Sequence, residues 1–260
     1  MPEAFFEPDD GWFSPTELTR GPWSPDHQHA GPPAALIGRA LERCEPCEAA
    51  RFGRVTVEIL RPIPLAPLRV QTRVARPGRS VALLEATLSD ERGEVARASA
   101  WRIRTTTLDL PAPMPAGAPP AGPESARPGT FFDTGEQVGY HTAMEYRFVA
   151  GDFIEPGPAT VWMRMRHPLV QDEQPSPLQR VLIAADSGNG VSAVLDWNRF
   201  VFVNTDLTVN LHRYPSGEWV RLDAVTVPEP DGVGLADTTL HDEHGALGRA
   251  LQTLLIGERT

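Results

Sequence analysis

The feature that most constrains this chain is that it contains itself twice. Residues Glu85 to Ala98, EATLSDERGEVARA, align without gaps on Asp237 to Ala250, DTTLHDEHGALGRA, at a constant offset of 152. Seven of the fourteen positions are identical: Thr87/Thr239, Leu88/Leu240, Asp90/Asp242, Glu91/Glu243, Gly93/Gly245, Arg97/Arg249 and Ala98/Ala250. The same offset sets Val57 on Val209 and Arg61 on Arg213. A match of this quality at one offset reads as a duplicated domain. The fold must therefore be one that a single chain builds as two similar units.

The division between the copies is visible. From Leu108 to Gly129 the sequence LDLPAPMPAGAPPAGPESARPG carries seven prolines and few large apolar groups. Such a segment is a semi-rigid extended linker that cannot pack a core, and it is expected to lack regular structure. It divides the chain into 1–107, a linker at 108–129, and 130–260.

Each copy has the same order of elements. Gly31-Pro32-Pro33 opens a helix running to about residue 45, with Leu36, Ile37, Ala40 and Leu41 on one stripe. In the second copy Ser176 caps and Pro177 starts a helix, with Leu178, Val181, Leu182 and Ala185 in the stripe, and Gly188-Asn189-Gly190 ends it. Strands are expected at 54–60, 68–75, 80–89 and 95–104, and again at 200–212, 219–227, 233–241 and 246–256. Asp90-Glu91-Arg92-Gly93 and Asp242-Glu243-His244-Gly245 read as hairpin turns, which accounts for their acidic residues without a metal.

A helix followed by a four-stranded antiparallel meander, made twice, is an α+β double hotdog: two tandem repeats, each a central helix wrapped by an antiparallel sheet, joined edge to edge. The segment HAGPPAALIGRALE and the second half of the chain resemble the acyl-CoA thioesterase II family of double hotdogs. The resemblance covers most of the chain outside the linker. It implies hydrolysis of an acyl-CoA to free acid and coenzyme A by a water that an Asp, a Thr and a Gln hold. Carried over by position, the Asp is Asp186 near the end of the second helix, and the Gln is Gln252 on the last strand. Alignment on His212-Arg213 puts Asn204 in the Thr position, with Thr205 beside it as the alternative. Under this reading Asp186 polarises the water, Asn204 and Gln252 fix it, and backbone amides near the opposite helix meet the oxyanion.

The repeat checks that assignment. Subtracting 152 from 186, 204 and 252 gives Ala34, Phe52 and Ala100, all apolar, so one site per chain is expected. His29 and Gly31, at the entry to the first helix, are candidates to bind substrate, and the backbone around Ala30 and Gly31 could supply oxyanion donors. Trp23, with Trp12, Phe13 and Trp197, either lines an acyl pocket or belongs to the core. Arg69, Arg73, Arg76 and Arg79 could meet the phosphates of coenzyme A or form a solvated strand face. His27 and His29 form an H-x-H pair to which spacing adds no third ligand, so no metal is expected. Cys44 and Cys47 form a C-x-x-C without a second pair, and read as ordinary thiols.

Composition removes whole classes. All 24 basic residues are Arg and none is Lys, which excludes Schiff-base and pyridoxal phosphate chemistry and Walker A phosphate loops. The net charge of −10 disfavours nucleic acid and anionic membranes as partners. Met1-Pro2-Glu3-Ala4-Phe5-Phe6 lacks the basic start and apolar core of a signal peptide, and no apolar run is long enough to span a bilayer, so a cytoplasmic protein is expected. No cofactor is expected beyond the coenzyme A of the substrate, and the remaining sheet edges leave room for homo-oligomers. Two other functions fit the same fold: a hotdog enoyl-CoA hydratase, for which only Asp26-His27-Gln28-His29 could serve, and a non-catalytic acyl-binding protein.

Overall fold

The computed structural model describes residues 3–111, 119–132 and 134–259. In chain order the first half contains β1 (Phe6–Asp9), β2 (Trp12–Pro15), α1 (Gly31–Arg43), β3 (Ala50–Ile59), β4 (Arg69–Arg76), β5 (Val81–Asp90) and β6 (Gly93–Arg104). After β7 (Arg127–Pro128) come α2 (Tyr140–Ala143), β8 (Met144–Ala150), β9 (Ala159–Met165), α3 (Pro177–Ala185) and the single turn α4 (Gly188–Val191). The chain finishes with β10 (Phe200–Asn204), β11 (Asp206–Leu211), β12 (Val220–Pro228), β13 (Val233–Asp242) and β14 (Gly245–Glu258). No helix among the described residues is long and apolar enough to cross a membrane.

The large sheet runs β4-β5-β6-β3-β11-β14-β13-β12-β9-β8-β7, with β10 also on β14. Its centre is the antiparallel pair β3–β11, and the order β4-β5-β6-β3 is mirrored by β12-β13-β14-β11. In this register Thr56 lies opposite Thr208, its own equivalent at the offset of 152, and Thr208 Oγ1 hydrogen-bonds Thr56 Oγ1 at 3.2 Å. Each copy therefore presents the same edge to the other, as a two-fold interface requires. This is the double hotdog.

Alternation explains which face closes. Along β5 the residues Ala82, Leu84, Ala86 and Leu88 are buried, and along β13 so are their equivalents Gly234, Ala236, Thr238 and Leu240. Period-2 burial puts one face of each meander on a helix and leaves the other to solvent. α1 and α3 lie antiparallel in the core, with Gly31 facing Ile183 and Gly38 facing Leu178 and Leu182. The approach is close enough that a Cβ on Gly31 would sit 2.6 Å from the Ile183 carbonyl oxygen.

Several sequence expectations need correction. Two hairpins precede the helices, β1–β2 against Leu68 at the start of β4 and β8–β9 against β12, and neither was foreseen. The expected linker 108–129 includes a 3-10 turn at Pro123–Ser125 and the strand β7, and Ala121 accepts the Trp162 indole N–H at 3.2 Å. The expected strand 200–212 is two strands broken at Thr205, where Asp206 Oδ1 accepts the Thr253 N–H at 2.9 Å in place of a ladder bond. The second helix ends at Ala185, and Gly188–Val191 forms a separate turn. The helices start at Gly31 and Pro177, a separation of 146 rather than 152, so Asp186 corresponds to Ala40 and not to Ala34.

The repeated Asp-Glu-x-Gly runs are the hairpins β5–β6 and β13–β14, with both Gly93 and Gly245 at φ 122°. In each, the Asp accepts the amide two residues on and binds the repeated arginine: Arg61 Nη2 to Asp90 Oδ1 at 2.6 Å, Arg213 Nη1 to Asp242 Oδ2 at 2.6 Å. Burial alone would raise the Asp242 carboxyl. Arg213 and the amides of Ser216 and His244 outweigh it and pull it down to about 2. A carboxyl depressed in the folded state contributes stability above its unfolded value of about 3.9, and loses it as pH falls through the folded one. Asp242→Asn should therefore lower the thermal midpoint by several degrees at pH 7 (roughly 4 °C per kcal/mol). The gap to wild type should close between pH 4 and pH 2, as read by melting curves across that range.

Candidate active site

The end of α3 opens into a cleft between the two copies. Asp186 caps this helix, with its side chain 3% exposed. Its carboxylate gathers donors from three distant segments. Asn204 Nδ2 donates to Oδ1 at 2.9 Å, Gln252 Nε2 to Oδ1 at 3.3 Å, and His29 Nδ1 stands 2.9 Å from Oδ2. Of the residues singled out in the sequence, Asp186, Asn204, Gln252 and His29 thus meet at one point.

Thr205 does not join them. It is exposed, and its hydroxyl bonds the Thr253 carbonyl at 3.3 Å. The strand break explains why. Inward residues on β11 are Leu207 and Val209, and an unbroken strand would put Thr205 on that face. The irregularity before Asp206 switches the alternation, so Phe202 and Asn204 point inward instead.

Gln252 is fully committed. Its two N–H groups go to Asp186, one to Oδ1 and one to the backbone oxygen at 3.1 Å, and its Oε1 accepts the Asn189 amide at 3.0 Å. It holds the carboxylate and has no donor left for a water. Asn204 spends its N–H groups on Asp186 and on the Asp206 carbonyl at 3.2 Å. Its Oδ1 takes no donor among the described residues, and it lines the cleft.

The turn α4 was invisible as a functional element in the sequence. Asn189 Nδ2 bonds the Phe202 carbonyl at 2.9 Å, and Ser192 Oγ bonds Gly188 O and Thr226 Oγ1, each at 2.8 Å. Thr226, Thr238 and Gln252 are buried polar positions whose equivalents at the offset of 152 are Val74, Ala86 and Ala100. That contrast between copies is the signal from which this buried polar layer could have been read.

His29 is set by its loop. Its amide donates to Thr19 O at 2.8 Å, and the Gln28 amide donates to Ile63 O at 2.8 Å. Its ring stacks on Tyr140 at 3.8 Å between centroids and 12° between planes. Tyr140 was not singled out from the sequence. Its hydroxyl donates to Ile183 O at 2.7 Å and lies 2.9 Å from Ser187 Oγ. Burial, and less strongly the Asp186 charge, push that phenol far above its ordinary range, so it stays neutral.

Above this floor is a cavity of about 290 Å³. Trp23 stacks on Trp197 at 3.8 Å, and both meet Phe202 edge-on. Phe131, Phe132, Phe153 and Tyr146 complete an aromatic wall contributed by the second half. Trp12 and Phe13 do not line it; Phe13 packs on the core beneath the Arg39 guanidinium. None of Arg69, Arg73, Arg76 and Arg79 reaches it, and Arg73 pairs with Glu85.

The pseudo-symmetry implies a second such place, at the C-terminal end of α1 against the start of α3. There Glu173 takes Arg39 in a two-pronged pair at 2.7 and 2.6 Å and Arg43 at 2.8 Å. Glu42 accepts Ser176 Oγ at 2.8 Å and Gln179 Nε2 at 3.0 Å. Burial raises the Glu42 carboxyl, and these bonds only partly offset it. Of these side chains Glu173 faces a cleft of about 430 Å³, shared with Gln174, Pro175 and Arg180, while Glu42 and Arg39 are taken up by these pairs.

Residues 19–103 match the family of acyl-CoA thioesterase N-terminal domains, and residues 115–256 match the family of acyl-CoA thioesterase C-terminal domains. No curated protein matches the chain. Among solved structures, a conserved hot dog fold protein from Alicyclobacillus acidocaldarius is similar at TM-score 0.75 and 13% identity, over 98% of this chain and 96% of that one. An acyl-CoA thioesterase II from Mycobacterium marinum is similar at TM-score 0.64 and 16% identity, over 97% and 94%. The tesB protein of Mycobacterium avium subspecies paratuberculosis is similar at TM-score 0.66 and 15% identity, over 95% and 93%. At these identities the structural likenesses carry the fold.

Gly188 tests the packing around the carboxylate. A Cβ there would lie 2.4 Å from Thr238 Oγ1 and 3.1 Å from Gln252 Oε1. Gly188→Ala should displace Gln252 from Asp186 and destabilise the chain by about 1–3 kcal/mol. Thermal melting and a structure of the variant check this; an unmoved Gln252 would show that the contact is slack.

Proposed function

The chain belongs to the acyl-CoA thioesterase family and is a thioesterase hydrolase, and we propose that its reaction centre is the Asp186, Asn204 and Gln252 cluster, with acyl-CoA as substrate. The observation that carries this reading is a nearly buried carboxylate, held by two amides and a histidine, at the floor of an aromatic-walled slot between the two copies.

Thioester hydrolysis needs a held water, a proton acceptor, a donor for the carbonyl oxygen and room for the acyl chain. In this reading the cluster holds the water, with the bare Asn204 Oδ1 as one acceptor. Gln252 keeps the carboxylate in place, and Asn204 takes the part that the family gives to Thr, since an amide both donates and accepts. The acyl chain lies along Trp23 and the rings of the second half. The end of α1 carries ion pairs in place of a cluster like that of Asp186, which gives one site per chain. The chemistry calls for no metal and no cofactor beyond the substrate's own coenzyme A, and suits a cytoplasmic setting, where acyl-CoA is met.

The test is a panel of acyl-CoA esters, crotonyl-CoA included, followed with a thiol-trapping reagent. Free thiol should appear from the preferred ester. Asp186→Asn should lower kcat by a factor of ~10² or more while KM changes little. Hydration of crotonyl-CoA without thiol release would place the protein with the hydratases, and an Asp186→Asn variant at the wild-type rate would remove the cluster from the reaction.

A further inference from the structure

We propose that His29 is the group that takes the proton from the attacking water, and that Asp186 holds its ring; the proposal rests on the thioesterase reading and assigns its base.

The Asp186 carboxylate is already engaged. Oδ1 accepts from both Asn204 and Gln252, and Oδ2 faces His29 Nδ1 at 2.9 Å. A carboxylate bound in this way is well placed to orient a partner, as the Asp of a Ser-His-Asp triad does.

The two contacts at Nδ1 fix the tautomer. This nitrogen lies 2.9 Å from Asp186 Oδ2, and the Gly31 N–H is directed at it from 3.1 Å. One ring nitrogen carries a proton or a lone pair in the ring plane, so it cannot donate to the first and accept from the second. A lone pair facing the carboxylate would be repelled, whereas an N–H makes a charge-assisted bond, which is the stronger of the two. Nδ1 therefore carries the proton, and the lone pair resides on Nε2.

That lone pair is available. Nε2 has no hydrogen-bond partner among the described residues, and it is not one of the buried unpartnered atoms. The ring lines the cavity and is 16% exposed. Tyr140 stacked on its face, with the Thr19 contact to its amide, holds the ring at the wall of the slot.

In the first step Nε2 takes a proton from water as the water oxygen bonds to the thioester carbon, and the carbonyl π pair moves onto oxygen. In the second step that pair returns, the C–S bond breaks, and the leaving sulfur takes the proton from Nε2. The products are the acid and coenzyme A thiol, and His29 is neutral again.

His29→Asn tests this, since an Asn amide can donate to Asp186 from the place of Nδ1 but has no Nε2. Hydrolysis of the preferred acyl-CoA should fall by a factor of ~10² or more in this variant. His29→Ala should regain rate when imidazole is added. A ring-nitrogen NMR spectrum of the wild type should show His29 protonated on Nδ1 and bare on Nε2, with no dependence on turnover. A His29→Asn rate near that of wild type, with Asp186→Asn still inactive, would hand the proton to Asp186 and leave the thioesterase reading intact. A proton on Nε2 in the spectrum would overturn the tautomer and with it the base. A wild type that releases thiol from no acyl-CoA would overturn both readings.

Discussion

The structure depends on the pairing of β3 with β11. Two copies of one meander meet through the same strand, antiparallel, with Thr56 against Thr208 at the centre. This ladder removes the edge that each copy would otherwise expose. It also decides where the helices go. Each lies against its own sheet, so joining the sheets brings α1 and α3 side by side and antiparallel. The start of one helix is thereby set against the end of the other, twice. Such a junction can bring a helix N-terminus, a loop histidine and a carboxylate together from opposite halves of the chain.

The carboxylate cluster forms at one of the two junctions, and the reason lies in side chains. Around the end of α3 the inward positions of the second sheet turned polar, with Gln252, Thr238 and Thr226 where the first sheet has Ala100, Ala86 and Val74. Buried polar groups need partners, and here Gln252 finds Asp186 and Asn189 of the turn α4, and Thr226 finds Ser192. Around the end of α1 the residues turned to ion pairs that fill the space: Glu173 with Arg39 and Arg43, and Glu42 with the cap of α3. The duplicated Arg61–Asp90 and Arg213–Asp242 pairs, by contrast, serve the same turn in both copies. Duplication preserved the frame while the two junctions diverged.

Much of this was legible in the sequence because it is local or periodic. The repeat, both helices and the two meanders follow from identity, Pro-led starts and alternating burial. Asp186 and Gln252 could be placed by resemblance. What escaped was either short or long-range. β1 and β2 have four residues each and include Pro8 and Pro15, which demote a strand, although Asp10-Gly11, at φ 41° and 83°, is a hairpin signal. β9, ATVWMRM, is an apolar run without the alternation that separates strand from helix. The choice of Asn204 over Thr205 depends on an irregularity that no pattern announces. The contact of His29 with Asp186 spans 157 positions, and only the closed fold creates it.

The central claim is that joining two copies makes two junctions, of which one binds substrate. The most direct measurement is the binding stoichiometry of a non-hydrolysable thioether analogue of an acyl-CoA, by titration calorimetry on the intact chain. One molecule per chain is predicted. Two per chain would mean that the Glu42–Glu173 end opens, and would contradict the account.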